Sequence, residues 1–392
     1  MLNTHLSPWP SFTQEEADAV SRVLLSNKVN YWTGNECREF EKEFAQWCGT
    51  EYAIALSNGT LALDVALKAL NIGQGDDVIV TSRTFLASAS SIVTAGANPV
   101  FADVDLNTQN ITAETIRAVL TNATKAIIVV HLAGYPAEMD SIMALAKELN
   151  LYVIEDCAQA HGAQYKGRAV GSIGHIGAWS FCQDKIMTTG GEGGMVTTND
   201  KNLWSSMWSY KDHGKSWSSV YEKQHPPGFR WVHDTFGTNW RMMEMQAVIG
   251  RIQLKRMAEW TAKRTQNAQR IWDVCAQFSF LRIPPVADYI THAHYKCYVF
   301  VNAADLPSGY SRDQIINDLN SIGVPCYQGS CSEVYLEKAF VGTNWVPKQR
   351  LTNAKLLGED SLMFLVHPTL TDTEINKVCH DLQHYFESIG NR

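Results

Sequence analysis

From residue 52 to residue 154 short apolar runs alternate with amphipathic stretches, and that alternation leaves few folds open. The runs 52–56, 77–81, 99–102, 126–131 and 151–154 have the length and near-continuous apolar character of strands covered on both faces. Helical spacing separates them at 61–70, around 92–95 and at 140–149. Strands that alternate with helices pair in parallel, because each crossover helix carries the chain back to the edge where the last strand began. The expected fold is α/β: a large unit with a mostly parallel sheet flanked by helices over residues 1–255, then a smaller α+β unit over 256–392. At 392 residues the chain is long enough for both.

Local signals fill in the two ends. Thr13-x-x-Glu16 reads as a capping box that opens a helix to about Leu25, and Phe40, Phe44 and Trp47 recur at helical intervals within 34–47. Residues 245–260 read as a helix that links the two units. Beyond it, 295–301 and 324–327 read as strands. Ser311-x-x-Gln314 opens a helix with Ile315, Ile316, Leu319 and Ile322 on one face, and Thr371-x-x-Glu374 opens the last helix. Residues 210–236 form a long polar and aromatic segment broken by Pro226-Pro227-Gly228, and loops of that length in compact enzymes usually serve function.

The residues that carry chemistry concentrate between 155 and 200. The strand at 151–154 runs into Glu155 and Asp156, which puts Asp156 at the carboxyl edge of the sheet, where open α/β sheets bind ligands. A second buried run, Trp179-Ser180-Phe181, precedes Lys185 and a loop with Gly190, Gly191, Gly193 and Gly194. An acid at a strand end, an amine nearby and glycines that let backbone approach a ligand together suit pyridoxal phosphate. The amine would hold the aldehyde covalently, and the carboxylate would keep the pyridine nitrogen protonated so that the ring accepts electrons. Spacing alone leaves a plainer alternative open, with Asp156 capping a turn and Lys185 solvated at the surface. Ser57-Asn58-Gly59-Thr60 joins a strand to a helix, where free N–H groups and the helix dipole attract an anion; the same tetrapeptide also makes an ordinary turn.

Composition removes other classes. A net charge of −7 and a pI near 5.9 oppose a general nucleic-acid surface. Nine scattered cysteines, odd in number and without CxxC spacing, read as reduced thiols and not as a metal or disulfide framework. No apolar run approaches the ~20 residues of a membrane span, and the first residues lack the pattern of an export signal, so a soluble cytoplasmic enzyme is expected.

The elements Glu155-Asp156-x-Ala158-Gln159-Ala160, Tyr165-Lys166-Gly167, Gly171-Ser172, Ser180-Phe181, Lys185 and Thr188-Thr189-Gly190-Gly191-Glu192-Gly193-Gly194 resemble the DegT/DnrJ/EryC1/StrS sugar aminotransferases. These belong to the fold type I pyridoxal-phosphate enzymes, and the resemblance extends over nearly the whole chain. It implies an aspartate aminotransferase-like large domain with pyridoxal phosphate as cofactor and Lys185 as the catalytic residue that carries it. Asp156 would meet the ring nitrogen and Gln159 would lie beside the ring hydroxyl. Phe85, otherwise a plain core residue, would stack on the ring, while Asn58, Gly59 and Thr60 with Ser180 would surround the phosphate. Gly237-x-Asn239-x-Arg241-Met242 matches an element whose asparagine reaches the neighbouring subunit's cofactor phosphate, which implies a homodimer. By position the resemblance places Arg230, His233 and Tyr327 toward a nucleotide-sugar substrate; His292 and His294 are either substrate-proximal or structural. One branch of the family dehydrates its sugar and carries histidine at the position of Lys185, so this chain falls on the transaminating side. The implied reaction converts a dTDP-, UDP- or GDP-linked 4-keto-6-deoxyhexose to the 4-amino sugar with L-glutamate. Its product would be a sugar such as dTDP-4-amino-4,6-dideoxyglucose, used for lipopolysaccharide O-antigen or another surface glycan. Amination at C3 and 3-dehydration are the alternatives.

Overall fold

The computed structural model describes residues 5–390. Its main sheet has seven strands: β1 (Tyr52–Leu56), β2 (Asp77–Thr81), β3 (Asn98–Ala102), β4 (Thr124–Val130), β5 (Tyr152–Asp156), β6 (Ile176–Ser180) and β7 (Gly194–Thr198). Their spatial order is β1-β7-β6-β5-β4-β2-β3. β7 is antiparallel to both neighbours, and all other pairings are parallel. Ile127, Ile128 and Val129 of β4 and Val153 and Ile154 of β5 are fully buried, which is why these strands read as unbroken apolar runs.

β7 carries no apolar-run signal in the sequence, because glycine opens it and threonines close it. Its polar atoms are nonetheless satisfied. The Thr197 hydroxyl donates to the Gly171 carbonyl at 2.7 Å and accepts from the Trp179 indole at 3.1 Å, so a fully buried strand tolerates it.

The helices Gly59–Ala69 after β1, Ala87–Thr94 after β2 and Met139–Leu149 before β5 are near their expected positions. Thr13 and Glu16 form the expected capping box ahead of Gln14–Leu25. Helix Glu36–Cys48 buries Phe40 and Phe44 against Phe181 and Trp179.

The helix expected to end near Trp260 instead runs unbroken over Glu244–Cys275, 32 residues and roughly 48 Å at 1.5 Å per residue. Ala268, Ile271, Trp272 and Cys275 extend its apolar face at helical spacing into the core of a second sheet. That sheet is antiparallel, in the order Leu281–Arg282, Cys297–Val301, Ser361–Phe364, Cys326–Tyr327, and the helices Arg312–Ser321 and Asp372–Gly390 pack against it. A third, small sheet pairs Ile290–Thr291 with Gln164–Tyr165, which pairs in turn with Arg168–Ala169, and so ties the excursion after β5 to the C-terminal part. In the segment 210–236 the structure has the short helix Trp217–Tyr221, capped by Ser216, and an isolated pairing of Lys215 with His233.

Candidate active site

β5 and β6 lie side by side, and their carboxyl ends form the floor of a cleft of about 720 Å³. Asn58, Gly59, Thr60, Phe85, Asp156, Gln159, Ser180 and Lys185 all line it, although they come from four separate strand ends.

The two acids that end β5 do different work. Glu155 points away from the cleft and accepts hydrogen bonds from the backbone N–H groups of Gly171, Ile173 and Gly174 and from His131 Nε2 at 2.9 Å. Burial alone would raise its pKa, but the His131 contact and these N–H donors hold it below the usual carboxylate range. Asp156 faces the cleft, is only 6% exposed, and receives the Ser88 hydroxyl at 2.7 Å and the Ala158 N–H at 3.1 Å. With its proton on Asp156, the Ser88 hydroxyl accepts from the Thr84 hydroxyl at 2.8 Å. Burial pushes the Asp156 carboxyl up, with these donors and Lys185 working against it. A buried carboxylate on a cleft floor, without an ion-pair partner among the described residues, is suited to a cationic ring nitrogen.

Lys185 sits on the loop after β6, with its side chain 15% exposed. Its Nζ lies 3.7 Å from Asp184 and 5.3 Å from the centre of the Tyr295 ring, and Tyr295 donates its hydroxyl to Asp184. The loop is held from behind: the Trp9 indole N–H donates to the Lys185 carbonyl at 2.9 Å. Phe85 is 70% exposed and lines the cleft, an arrangement that fits a ring face waiting for a flat partner better than a core residue.

At the head of the helix Gly59–Ala69, the Asn58 side chain accepts from the Leu61 N–H, which leaves the first N–H groups of the helix facing the cleft. A Cβ on Gly59 would come within 2.5 Å of Ser180 Cβ, so the glycine lets Ser180 close over this helix terminus. The later glycines do not line the cleft, contrary to the expectation that they admit a ligand. They admit protein instead: a Cβ on Gly194 would lie 2.2 Å from the Asn58 carbonyl oxygen, and one on Gly193 would lie against the Thr189 hydroxyl. Gln159 faces the cleft, yet its Oε1 already accepts the Ala133 N–H at 2.8 Å, which leaves the amide NH2 for a ligand.

The remaining expected residues lie elsewhere in this single chain. Arg230, His233 and Asn239 are exposed and outside the cleft, with Asn239 paired to Asp212. Tyr327 ends a strand of the second sheet; its neighbours Gly329, Ser330 and Cys331 reach the cleft and it does not. His292 and His294 stack at 3.9 Å in the interior. Ser88, Asp184, Tyr295 and Lys296 are cleft residues that sequence reasoning passed over. Ser88 alone carried a signal, one turn beyond Phe85 in the same strand-to-helix connection.

Sheet and cleft together define a fold type I pyridoxal-phosphate enzyme, with a lysine and a buried carboxyl group lining one cleft. The chain belongs to the DegT/DnrJ/EryC1/StrS aminotransferase family, whose model matches residues 10–383, and it is a pyridoxal-phosphate-dependent transaminase. It is 38% identical over 378 residues to a GDP-perosamine synthase of Caulobacter vibrioides, covering 94% of this chain and 95% of that one. It is 41% identical over 267 residues, 68% of each chain, to a UDP-N-acetyl-3-dehydro-alpha-D-glucosamine 3-aminotransferase of Acidithiobacillus ferrooxidans. Among solved structures, an aminotransferase from Psychrobacter cryohalolentis is 66% identical, superimposes with a TM-score of 0.97, and is matched over 98% of this chain and 99% of its own. No helix among the described residues is long and apolar enough to cross a membrane.

Proposed function

We propose that the enzyme aminates a nucleotide-linked 4-keto-6-deoxyhexose at C4, with L-glutamate as amino donor. The reading is carried by Lys185 and Asp156 on the floor of one cleft, and the near full-length similarity to a GDP-perosamine synthase favours C4, where perosamine bears its amine. Bound pyridoxal phosphate supplies an electron sink for the carbanion formed at the donor's α-carbon. Lys185 Nζ takes the proton from that carbon in the first half-reaction and returns one to the sugar carbon in the second. Asp156 holds positive charge at the ring nitrogen, Phe85 shields one face from water, and the helix terminus at Gly59 and Thr60 with Ser180 anchors the phosphate. Asn239 completes the phosphate site from a second copy of the chain, so the working unit is a homodimer. Arg230, His233 and Tyr327 belong to the sugar-nucleotide side. The product would enter a surface glycan such as an O-antigen.

The test is a panel of GDP-, UDP- and dTDP-linked keto sugars, each offered with glutamate while 2-oxoglutarate is measured and the position of the new amine is read by NMR. Amination at C3 would replace the C4 assignment, as the similarity to a 3-aminotransferase allows. Loss of the C3 hydroxyl without amine incorporation would replace transamination by dehydration. Lys185→Ala is expected to abolish both turnover and the visible absorbance of the holoenzyme, and a yellow, active variant would end the proposal.

A further inference from the structure

We infer that Lys296 is the anion-recognition residue of the cleft, the group that takes an anionic oxygen of a substrate. Lys185 and Lys296 are the two ammonium groups that line the cleft among the described residues, and they flank one ring: their Nζ atoms lie 5.3 and 5.5 Å from the centre of Tyr295. Lys185 is committed to the chemistry and has Asp184 beside it at 3.7 Å. Lys296 has no carboxylate within ion-pair distance among the described residues; its Nζ donates to the Ser330 hydroxyl at 3.0 Å, which leaves further N–H donors for a ligand. The other charges on the cleft wall are the acids Asp156, Asp184 and Glu192, so without Lys296 an anionic substrate would meet mainly repulsion.

The residue is also fixed in place. The N–H groups of Tyr295 and Lys296 donate to the Ala133 carbonyl at 2.9 and 3.4 Å, and Ala133 is itself held by Gln159. The Ser330 N–H donates to the Tyr298 hydroxyl at 2.7 Å, directly after Gly329, whose φ of +89° and tight approach to Tyr298 admit no side chain. A rigid ammonium close to the reacting lysine reaches either a carboxylate of the amino donor or the diphosphate of the sugar nucleotide. The inference rests on the transaminase reading for the identity of those substrates, but not for the existence of the site.

The test uses the holoenzyme and Lys296→Met and Lys296→Arg variants. Glutarate stands for the donor's carboxylates, and GDP, UDP and dTDP for the nucleotide. Isothermal calorimetry is expected to show affinity for one of the two probe classes reduced about ten- to hundredfold in Lys296→Met, as for loss of a charge-assisted hydrogen bond, and largely restored in Lys296→Arg. In steady-state kinetics the same substrate's KM rises while kcat and the other substrate's KM stay near wild type. Loss on glutarate assigns the donor carboxylate, and loss on a nucleotide assigns the diphosphate. A change below about threefold on every probe would overturn the proposal, as would failure of the wild type to bind any of them. If no keto sugar of the panel reacts while the probe affinities still shift, the assignment of the reaction falls and the anion site stands.

Discussion

Asp156 and Glu155 are neighbours with opposite environments: Asp156 lines the cleft, and Glu155 is tied to His131 and the backbone of Gly171. Asp156→Asn removes the charge while keeping the shape; its amide oxygen can still accept the Ala158 N–H, and its NH2 then faces the Ser88 oxygen, which must turn its own proton elsewhere. The variant is expected to fold and to retain some cofactor but to lose about two or more orders of magnitude in kcat, because the ring nitrogen is no longer held protonated. Near-normal kcat with full cofactor occupancy would remove Asp156 from the mechanism. Sequence made this site legible only in part. The strand end put Asp156 at the carboxyl edge, where open sheets place ligands, but spacing alone left it and Lys185 open to a turn cap and a solvated amine, and the family resemblance singled them out. Tyr295 and Lys296 could not be read from sequence, since they reach the cleft through hydrogen bonds to Ala133 across more than a hundred and fifty residues of chain. Nor could the division of labour in Glu155-Asp156, which depends on where His131 and the 171–174 backbone come to rest.

Among elements, the helix Gly59–Ala69 and β6 approach closely at Gly59 and Ser180. Gly59→Ala would force a Cβ against Ser180 and move the helix terminus away from the phosphate site. Pyridoxal phosphate affinity should fall at least about tenfold while the far-ultraviolet circular dichroism stays close to wild type, since the clash is local and the helix gains a better former. Unchanged cofactor affinity would mean that the terminus does not bind the phosphate. The strands of the parallel region were legible because burial on both faces makes them uniformly apolar. β7 was not, because its threonines are buried by virtue of hydrogen bonds to Gly171 and Trp179 that a linear pattern does not encode. The second half of Glu244–Cys275 carries its apolar stripe intact at Ala268, Ile271, Trp272 and Cys275, beyond the expected end near Trp260.

At the scale of the molecule, four buried histidines set an acid limit. Burial, with Arg264 and Lys185 nearby, brings His161 down to about 3; burial and Arg264 bring His294 and His367 to about 3 as well. Burial, with His294 beside it, also holds His292 well below the usual histidine range. Unfolded, each would titrate near 6.5, so between those values the unfolded chain binds more protons and stability rises with pH. The melting temperature should therefore start to fall as pH drops below about 6.5, ahead of the carboxylates, and a flat profile from about pH 7.5 to 5 would contradict these assignments.

The proposed homodimer belongs to the same scale. Phe229, Trp231 and Phe236 are 77%, 85% and 99% exposed on one short segment near Asn239, an apolar surface that a second copy of the chain would cover. If Asn239 acts across that interface, mixing inactive Lys185→Ala with Asn239→Ala after subunit exchange should restore about a quarter of the wild-type sites, since each mixed dimer regains one complete site. No recovery from the mixture would place Asn239 within its own chain's site or outside any.

The indole of Trp9 on the Lys185 carbonyl makes the segment around Trp9 a latch on the Lys185 loop. An affinity handle fused there, or a protease that trims the chain back past Pro10, would loosen the very backbone that aims the amine. Purification strategy is thus already an experiment on this enzyme, and a handle placed after the helix Asp372–Gly390 leaves that latch alone.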